Sequence, residues 1–189
     1  MGIRNCRMEM KPETLLDYWY SERVSKMWFA ATPELDAEIK QRFESLWEQA
    51  AAGELSQWAE SAEGTLALVI LLDQLPLNMF RNEAKSFQTE QLAVRLAKQA
   101  IARQWDTQLT KDRLAFLYMP LMHSEDLADQ ELSVSLFERA GLESNLRFAK
   151  HHRQLIRQYG RFPHRNRILK RQSTSRERDY LSSKQAFKG

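Results

Sequence analysis

The sequence predicts an all-α protein, and three observations favour this class. Apolar residues recur at helical spacing along most of the 189 residues. The six Gly and five Pro are few for a turn-rich all-β chain. No run alternates apolar and polar residues over the length of a strand. We therefore expect one domain, residues 1–189, built as an antiparallel array of about seven to nine helices with short connections.

The first two long helices are expected between residues 33 and 75. A helix that begins at Pro33 carries its apolar residues on one stripe. Thr32 can cap its N-terminus, and Gly53 suits its C-terminal end. Residues 65–75 are apolar on all sides, which indicates a buried helix. Because proline lacks an N–H group, we expect Pro76 to end or kink this helix.

Three more helices follow in the middle of the chain. Residues 86–104 show helical spacing of apolar side chains. Residues 111–119 predict a short helix, which we expect Pro120 to stop. Ser124 can then cap a helix that runs to Ala140.

The C-terminal third is also expected to be helical. The helix that carries His152 on its apolar face should end at Gly160, because glycine favours the left-handed conformation of a helix terminus. Thr174 and Glu177 have the spacing of a capping box and predict one more short helix. We expect a short mobile N-terminus and a frayed tail over residues 182–189.

The cysteine content and the apolar runs indicate the cellular compartment. The single Cys cannot form an internal disulfide, and the N-terminus lacks the apolar core of a secretory signal. The longest apolar run, residues 66–72, is far too short to cross a bilayer. We expect a cytoplasmic protein without a membrane span.

Charge is distributed unevenly. Residues 147–178 contain eleven Lys or Arg and one acid, so this segment is +10; the whole chain is +3, which leaves −7 for the rest. Such an asymmetry indicates an anionic partner or an acidic partner within the chain. Phe148, Tyr159 and Phe162 are sparse among the basic residues and suit packing, so we do not expect a nucleic-acid partner.

Four segments place polar groups where packing alone does not require them. They are the end of the helix before Pro76, the segment around Ser124, the pair His151-His152, and the basic run YGRFPHRNRILKR, here called the 159–171 stretch. The candidate site residues are Asp73, Asn78, Arg81, His123, Glu125, His152, Arg161, His164, Arg165 and Asn166. We expect nine of them, all except Asn78, to converge in space, since buried polar groups need partners.

Two interpretations of this cluster remain open. Buried ion pairs can hold the 159–171 stretch in place, with Asp73, Glu125 and Asp129 as partners of its arginines. The same groups can instead surround a small polar or anionic ligand. No Walker loop, GxGxxG, HExxH, CxxC or GxSxG motif is present, and the spacing of His and acids matches no established metal site. We therefore expect neither metal nor cofactor.

Three functions follow from these interpretations. The first is a module that binds a small ligand or a protein through a polar Asp/His/Arg pocket. The second is a hydrolase-type enzyme in which His123 and Glu125 act as general base and acid. The third is nucleic-acid binding through the basic C-terminal third, which ranks last.

Several segments, taken in order, resemble a known family. LDQLPLNMFR (72–81), FLYMPLMHSEDLADQE (116–131) and GRFPHRN (160–166) are similar to bacterial proteins grouped as domain of unknown function 924. The resemblance implies an all-α fold similar to tetratricopeptide repeats and no established activity. Three positions depart from the family pattern: Leu77 replaces a usual Arg, Glu90 a usual Asp, and Lys170 a usual Gly.

Overall fold

The computed structural model describes residues 10–184 and 186–187, and no strand occurs among them. The helices are α1 (Pro12–Trp19), α2 (Glu22–Ser25), α3 (Pro33–Ala51), α4 (Ala62–Val69), α5 (Leu75–Met79), α6 (Glu90–Ala102), α7 (Lys111–His123), α8 (Leu127–Arg139), α9 (Glu143–Tyr159) and α10 (Ser175–Ser182). A π-helical turn, Ile70–Gln74, joins α4 and α5 without a break, so these residues form nine helices. The all-α prediction is confirmed.

Helix α4 lies at the centre of the core. It packs against α1, α6 and α7, and its side chains Leu66, Ala67 and Val69 are fully buried. Helix α3 begins as predicted, with the Thr32 hydroxyl accepting a hydrogen bond from the Leu35 N–H. Burial on every side explains why the sequence of α4 shows no polar face.

The chain does not end its helix at Pro76. It passes through the π-helical turn and continues to Met79 as α5. Pro76 has no N–H to offer the carbonyl of Leu72, four residues earlier. The Thr89 hydroxyl donates to that carbonyl at 2.6 Å and takes the place of the missing group. A buried partner from another segment thus allows the proline inside a helix.

Pro120 does not stop its helix either, so that prediction is wrong. Helix α7 includes Pro120 and ends at His123. The fully buried Gln130 of α8 donates its Nε2–H groups to the carbonyls of Met122 and Ser124, both at 2.7 Å. The carbonyl groups at the end of α7 therefore receive hydrogen bonds from a neighbouring helix, which allows the extra turn.

The cap of α8 is also displaced from its predicted position. Asp126, not Ser124, is the N-cap, since its carboxylate accepts from the N–H groups of Ala128 and Asp129. The Ser124 hydroxyl instead donates to Asp129 at 2.8 Å. Helix α8 packs against both α7 and α9, its neighbours along the chain.

The C-terminal elements form as predicted. Gly160 has φ 69° and ends α9, and the capping box of α10 is complete, with Thr174 and Glu177 each accepting from the other's backbone N–H. The predicted mobile N-terminus, residues 1–9, lies outside the described residues, as do Gln185, Lys188 and Gly189 of the tail. Phe187 of that tail packs against Phe162 and its cluster.

Lys170 adopts a left-handed conformation, with φ 53°. In the family that the sequence motifs resemble, this position is usually glycine. We expect Lys170→Gly to raise the free energy of unfolding by about 0.5–1 kcal/mol, because glycine adopts positive φ without steric cost. Urea denaturation measures the change. The matched control Arg147→Gly, inside α9, should lower stability by about 1 kcal/mol; a loss of stability in both variants would contradict the strain argument.

Candidate functional site

The 159–171 stretch is not a solvated loop. After Gly160, Phe162 is extended and fully buried, and residues Pro163–Arg165 form a 3-10 turn. Arg165 and Asn166 are buried as well. Phe162 thus anchors the stretch in the core, as Pro163 predicts by restricting the residue before it.

Arg165 is the centre of the buried charges. Its guanidinium donates to Glu90 and to the carbonyl oxygen of His123, both at 2.9 Å. It lies between the rings of Phe87 and Phe162, 4.5 and 4.7 Å from their centroids. A planar cation between two rings and two acceptors is a preorganised structural contact, not an open binding group.

Asp73 and His123 form a largely buried pair next to this arginine. The His123 Nδ1 lies 3.0 Å from both carboxylate oxygens of Asp73, and the Asp73 side chain is 3% exposed. Burial opposes protonation of His123, but the charge and hydrogen bond of Asp73 outweigh it and raise the pKa of the imidazole. The π-helical turn places Asp73 at this point, and such turns often occur at functional sites.

Glu90 belongs to the same cluster, although it was not among the candidates. Burial raises its pKa to about 7, against the opposing charges of Arg165 and His123. In the sequence, Glu90 is an acidic residue at the first position of α6, where acids commonly stabilise the N-terminus of a helix. The only sequence signal was the resemblance, in which an acid also occupies this position.

Glu125 holds the 159–171 stretch from the other side. Its carboxylate accepts from Arg171 at 2.5 and 2.9 Å and from the Phe162 N–H at 2.7 Å. Although burial opposes ionisation, these hydrogen bonds keep the pKa of Glu125 below its ordinary value. Asn166 accepts from Arg171 at 2.9 Å and completes this contact.

The expected arginine partners are corrected in two cases. Asp73 pairs with His123, and Asp129 forms its ion pair with Lys98. Arg161 pairs with Glu177, whose oxygens lie 2.7 and 2.8 Å from its guanidinium. Hydrogen bonds from Arg161 lower the pKa of Glu177 to about 2. Of the three acids expected as partners, Glu125 alone pairs with an arginine of the stretch, Arg171.

His152 and His164 are both neutral groups beside Phe162. Burial lowers the pKa of His152 to about 3, and its Nδ1 contacts the Phe148 carbonyl at 2.8 Å. Burial, with the charge of Arg165, lowers the pKa of His164 to about 4. The Phe187 ring meets both imidazoles edge to face, 4.8 and 5.0 Å between centroids.

Asn78 and Arg81 lie in a different contact. Both donate to Asp36 of α3, at distances between 2.6 and 3.0 Å, so the prediction that Arg81 joins the histidine cluster is wrong. They line a cleft of about 480 Å³ between α3 and α5, which also contains Lys40 and Glu83. Their sequence proximity to Asp73 is misleading because the helix continues through Pro76.

A second cleft, here called the C-terminal cleft, opens beside the 159–171 stretch. Its volume is about 340 Å³. The lining residues come from this stretch, from the short link before α10, from the end of α10 and from the segment after it: Pro163, His164, Arg167, Arg171, Ser173, Leu181, Ala186 and Phe187. Of the candidates, His164 lines this cleft, whereas Glu125 and Asn166 contact its lining residue Arg171 through hydrogen bonds.

Six of the eleven basic residues in 147–178 form ion pairs with acids: Lys150, Arg153, Arg157, Arg161, Arg165 and Arg171. Much of the positive charge is thus neutralised within the chain. In the described part of the chain, no group of three or more His, Cys, Asp and Glu side chains could hold a metal ion. None of the described helices has the length and apolar character needed to cross a membrane.

We expect His123 to stay protonated at pH values above the ordinary pKa of histidine. In the variant Asp73→Asn the pKa of His123 should fall below 6.5, because burial and the charge of Arg165 then determine it. In the wild type the raised pKa stabilises the fold fully below pH 6.5, and this contribution is lost as pH rises through the folded pKa. NMR titration of the His123 ring protons measures the shift. Equal pKa values in both proteins would contradict a role for Asp73.

Comparisons with known proteins agree with this architecture. The family model for a bacterial protein of unknown function, DUF924, matches residues 15–185. A solved structure of the protein of unknown function ATU0120 from Agrobacterium tumefaciens is 38% identical and has a TM-score of 0.86; the match covers 90% of this chain and 96% of that chain. None of the curated proteins matches. The resemblance inferred from the motifs is confirmed, and the chain belongs to the bacterial DUF924 family.

Proposed function

We propose that this chain is a binding protein for a small anionic ligand, which it holds in the C-terminal cleft. The observation that carries the proposal is Arg167. Its side chain is exposed and lines the cleft, and its guanidinium has no hydrogen-bond or ion-pair partner among the described residues. Arg161, Arg165 and Arg171 of the same stretch are all paired, so Arg167 is the arginine available to a ligand.

The other polar groups of the cleft are suited to an anion. Ser173 Oγ accepts a hydrogen bond from Asn166 at 3.1 Å, which leaves its own hydrogen as a donor. His164 Nδ1 is buried without a partner among the described residues. No carboxylate side chain occurs among the described residues that line this cleft. A positive site without a competing acid favours an anionic ligand.

The paired residues give this site a fixed frame. Arg171 spans Glu125, Asn166 and the Phe162 carbonyl, so the backbone on either side of Arg167 is tied to the core. A site whose supporting groups are held before binding loses less entropy when the ligand arrives. The buried ion pairs and the ligand site are therefore complementary parts of one arrangement.

The hydrolase alternative has less support. A general acid needs a proton to give, whereas hydrogen bonds from Arg171 and the Phe162 N–H stabilise the ionised form of Glu125 and lower its pKa. The nucleic-acid alternative has less support because the basic side chains are paired with acids instead of forming an open row.

The test is a titration of the ¹⁵N-labelled protein with acetate, inorganic phosphate, phenylacetate and phenyl phosphate. We expect saturable shifts of the Arg167 Nε–H and His164 ring signals with at least one of these anions. Arg167→Gln should weaken that binding at least tenfold. The control Arg147→Gln removes an exposed charge of α9 outside the cleft and should have no effect. Absence of saturation with every anion would refute the proposal.

A further inference from the structure

The C-terminal cleft has a second, apolar part. Leu181, Ala186 and Phe187 all come from the end of α10 and the segment after it, and Pro163 adds a fourth apolar side chain. Leu181 is 36% exposed, so part of its side chain is accessible from the cleft. Phe187 is fixed against His164 by its edge-to-face contact and by the hydrogen bond from its N–H to the Tyr180 hydroxyl, at 2.8 Å.

The described residues that line the cleft, counted together with Glu125, carry a net charge of +1. Arg167 contributes +1 and has no partner among the described residues, and Arg171 is balanced by Glu125 across two hydrogen bonds. His164 is neutral at pH 7, since burial and the charges of Arg165 and Arg171 outweigh that of Glu125 and lower its pKa to about 4. A single net positive charge matches a monoanion, whereas a phosphate monoester carries close to two negative charges.

The size of the cleft limits the ligand further. Its volume of about 340 Å³ lies near the lower end of the range for ligand pockets, about 300–1,000 Å³. A planar carboxylate fits one guanidinium through two parallel hydrogen bonds, with the Ser173 hydroxyl as an additional donor. The rest of such a ligand would then lie towards Leu181 and Phe187.

We propose that the ligand is a small monocarboxylate with an apolar body, such as an arylacetate, whose carboxylate binds Arg167 and Ser173 while its body packs on Leu181 and Phe187. This inference rests on the proposed function and names its ligand class. It adds two requirements that anion binding alone does not have: an apolar body and a single negative charge.

Isothermal titration with the full chain separates these requirements. Phenylacetate is expected to bind at least tenfold more tightly than acetate and at least threefold more tightly than phenyl phosphate. Phe187→Ala and Leu181→Asn should each weaken phenylacetate at least threefold more than they weaken acetate. Arg167→Gln should weaken both carboxylates, and Arg147→Gln neither. The two apolar positions are tested separately, so a folding defect in one variant does not decide the result.

Each other outcome identifies which proposal fails. Equal affinities for acetate and phenylacetate, both dependent on Arg167, would overturn the apolar requirement and leave the proposed anion binding in place. Tighter binding of phenyl phosphate would overturn the single-charge requirement only. Binding of phenylacetate that is indifferent to Phe187 and Leu181 would place the body elsewhere and refute the assignment. No binding of any anion would refute both proposals.

Discussion

Replacement of Arg165 by methionine is expected to lower the free energy of unfolding by about 3–5 kcal/mol, the usual cost of removing one partner of a buried ion pair. The Arg165 and Glu90 side chains are 8% and 13% exposed, so Glu90 cannot recover its lost partner from water. The change also removes the hydrogen bond to the His123 carbonyl. Urea denaturation at pH 8 measures the loss.

The pH dependence has a definite sign. Because the folded pKa of Glu90, about 7, exceeds its ordinary value of 4.5, ionising it disfavours the fold as pH rises through this window. Removal of Arg165 raises that pKa further. The difference between wild type and Arg165→Met should therefore be smaller at pH 5 than at pH 8.

Two controls test whether the stability lost in Arg165→Met is due to an unpaired buried charge. Adding Glu90→Leu to Arg165→Met should restore much of the stability, since an apolar pair can replace a buried ion pair. Arg23→Met breaks a pair whose side chains are 56% and 37% exposed and should cost at most about 1 kcal/mol. A loss in Arg165→Met no larger than in Arg23→Met would show that the buried pair is not a major stabilising contact.

Gly64→Ala should destabilise the fold by about 3 kcal/mol, at the upper end of the usual cost of overpacking. A Cβ atom at Gly64 would lie 2.1 Å from the carbonyl oxygen of Trp58, a backbone atom that cannot rotate away. Helix α4 lies at the centre of the core, so it cannot shift without disturbing α1, α6 and α7. Thermal and urea unfolding both report the change.

Gly53→Ala is the matched control. Gly53 has φ 80°, but a Cβ atom there would meet nothing within 4 Å. Its substitution should cost only about 1–2 kcal/mol, from the left-handed backbone. If both alanine variants lose the same stability, the close approach at Gly64 is not the cause of its effect.

Local sequence patterns predicted the helix ends correctly where residues at the helix terminus itself determine them. Gly160 and the Thr174–Glu177 box are such cases, and both form as expected. Neither proline ends its helix, because both helices are completed by distant groups. Thr89 satisfies the Leu72 carbonyl, and Gln130 satisfies the end of α7. No local pattern contains these partners.

The candidate site was predictable in outline only. Buried polar groups need hydrogen-bond partners, and this argument correctly indicated that Asp73, His123 and Arg165 are not solvated. It did not identify the partners, because Glu90 and Arg165 are 75 residues apart and meet only through the packing of α6 against the 159–171 stretch. Arg167 was one of many basic residues in the sequence. It is distinguished only in the structure, where the other three arginines of the 159–171 stretch, Arg161, Arg165 and Arg171, are paired with acids.

The π-helical turn over Ile70–Gln74 makes the Asp73–His123 contact sensitive to insertions and deletions. A π turn holds one more residue than an α turn, so loss of one residue there would return the segment to a regular α-helix. In the shortened segment the residues of the turn would take new positions around the helix axis, so Asp73 would no longer be held where it meets His123. Except for Thr65, Asp73 and Gln74, the buried residues of α4 and of the π turn are apolar or small, so the segment would accept this change and still pack. A family member that lacks one residue in this turn would therefore keep the fold and lose the buried pair.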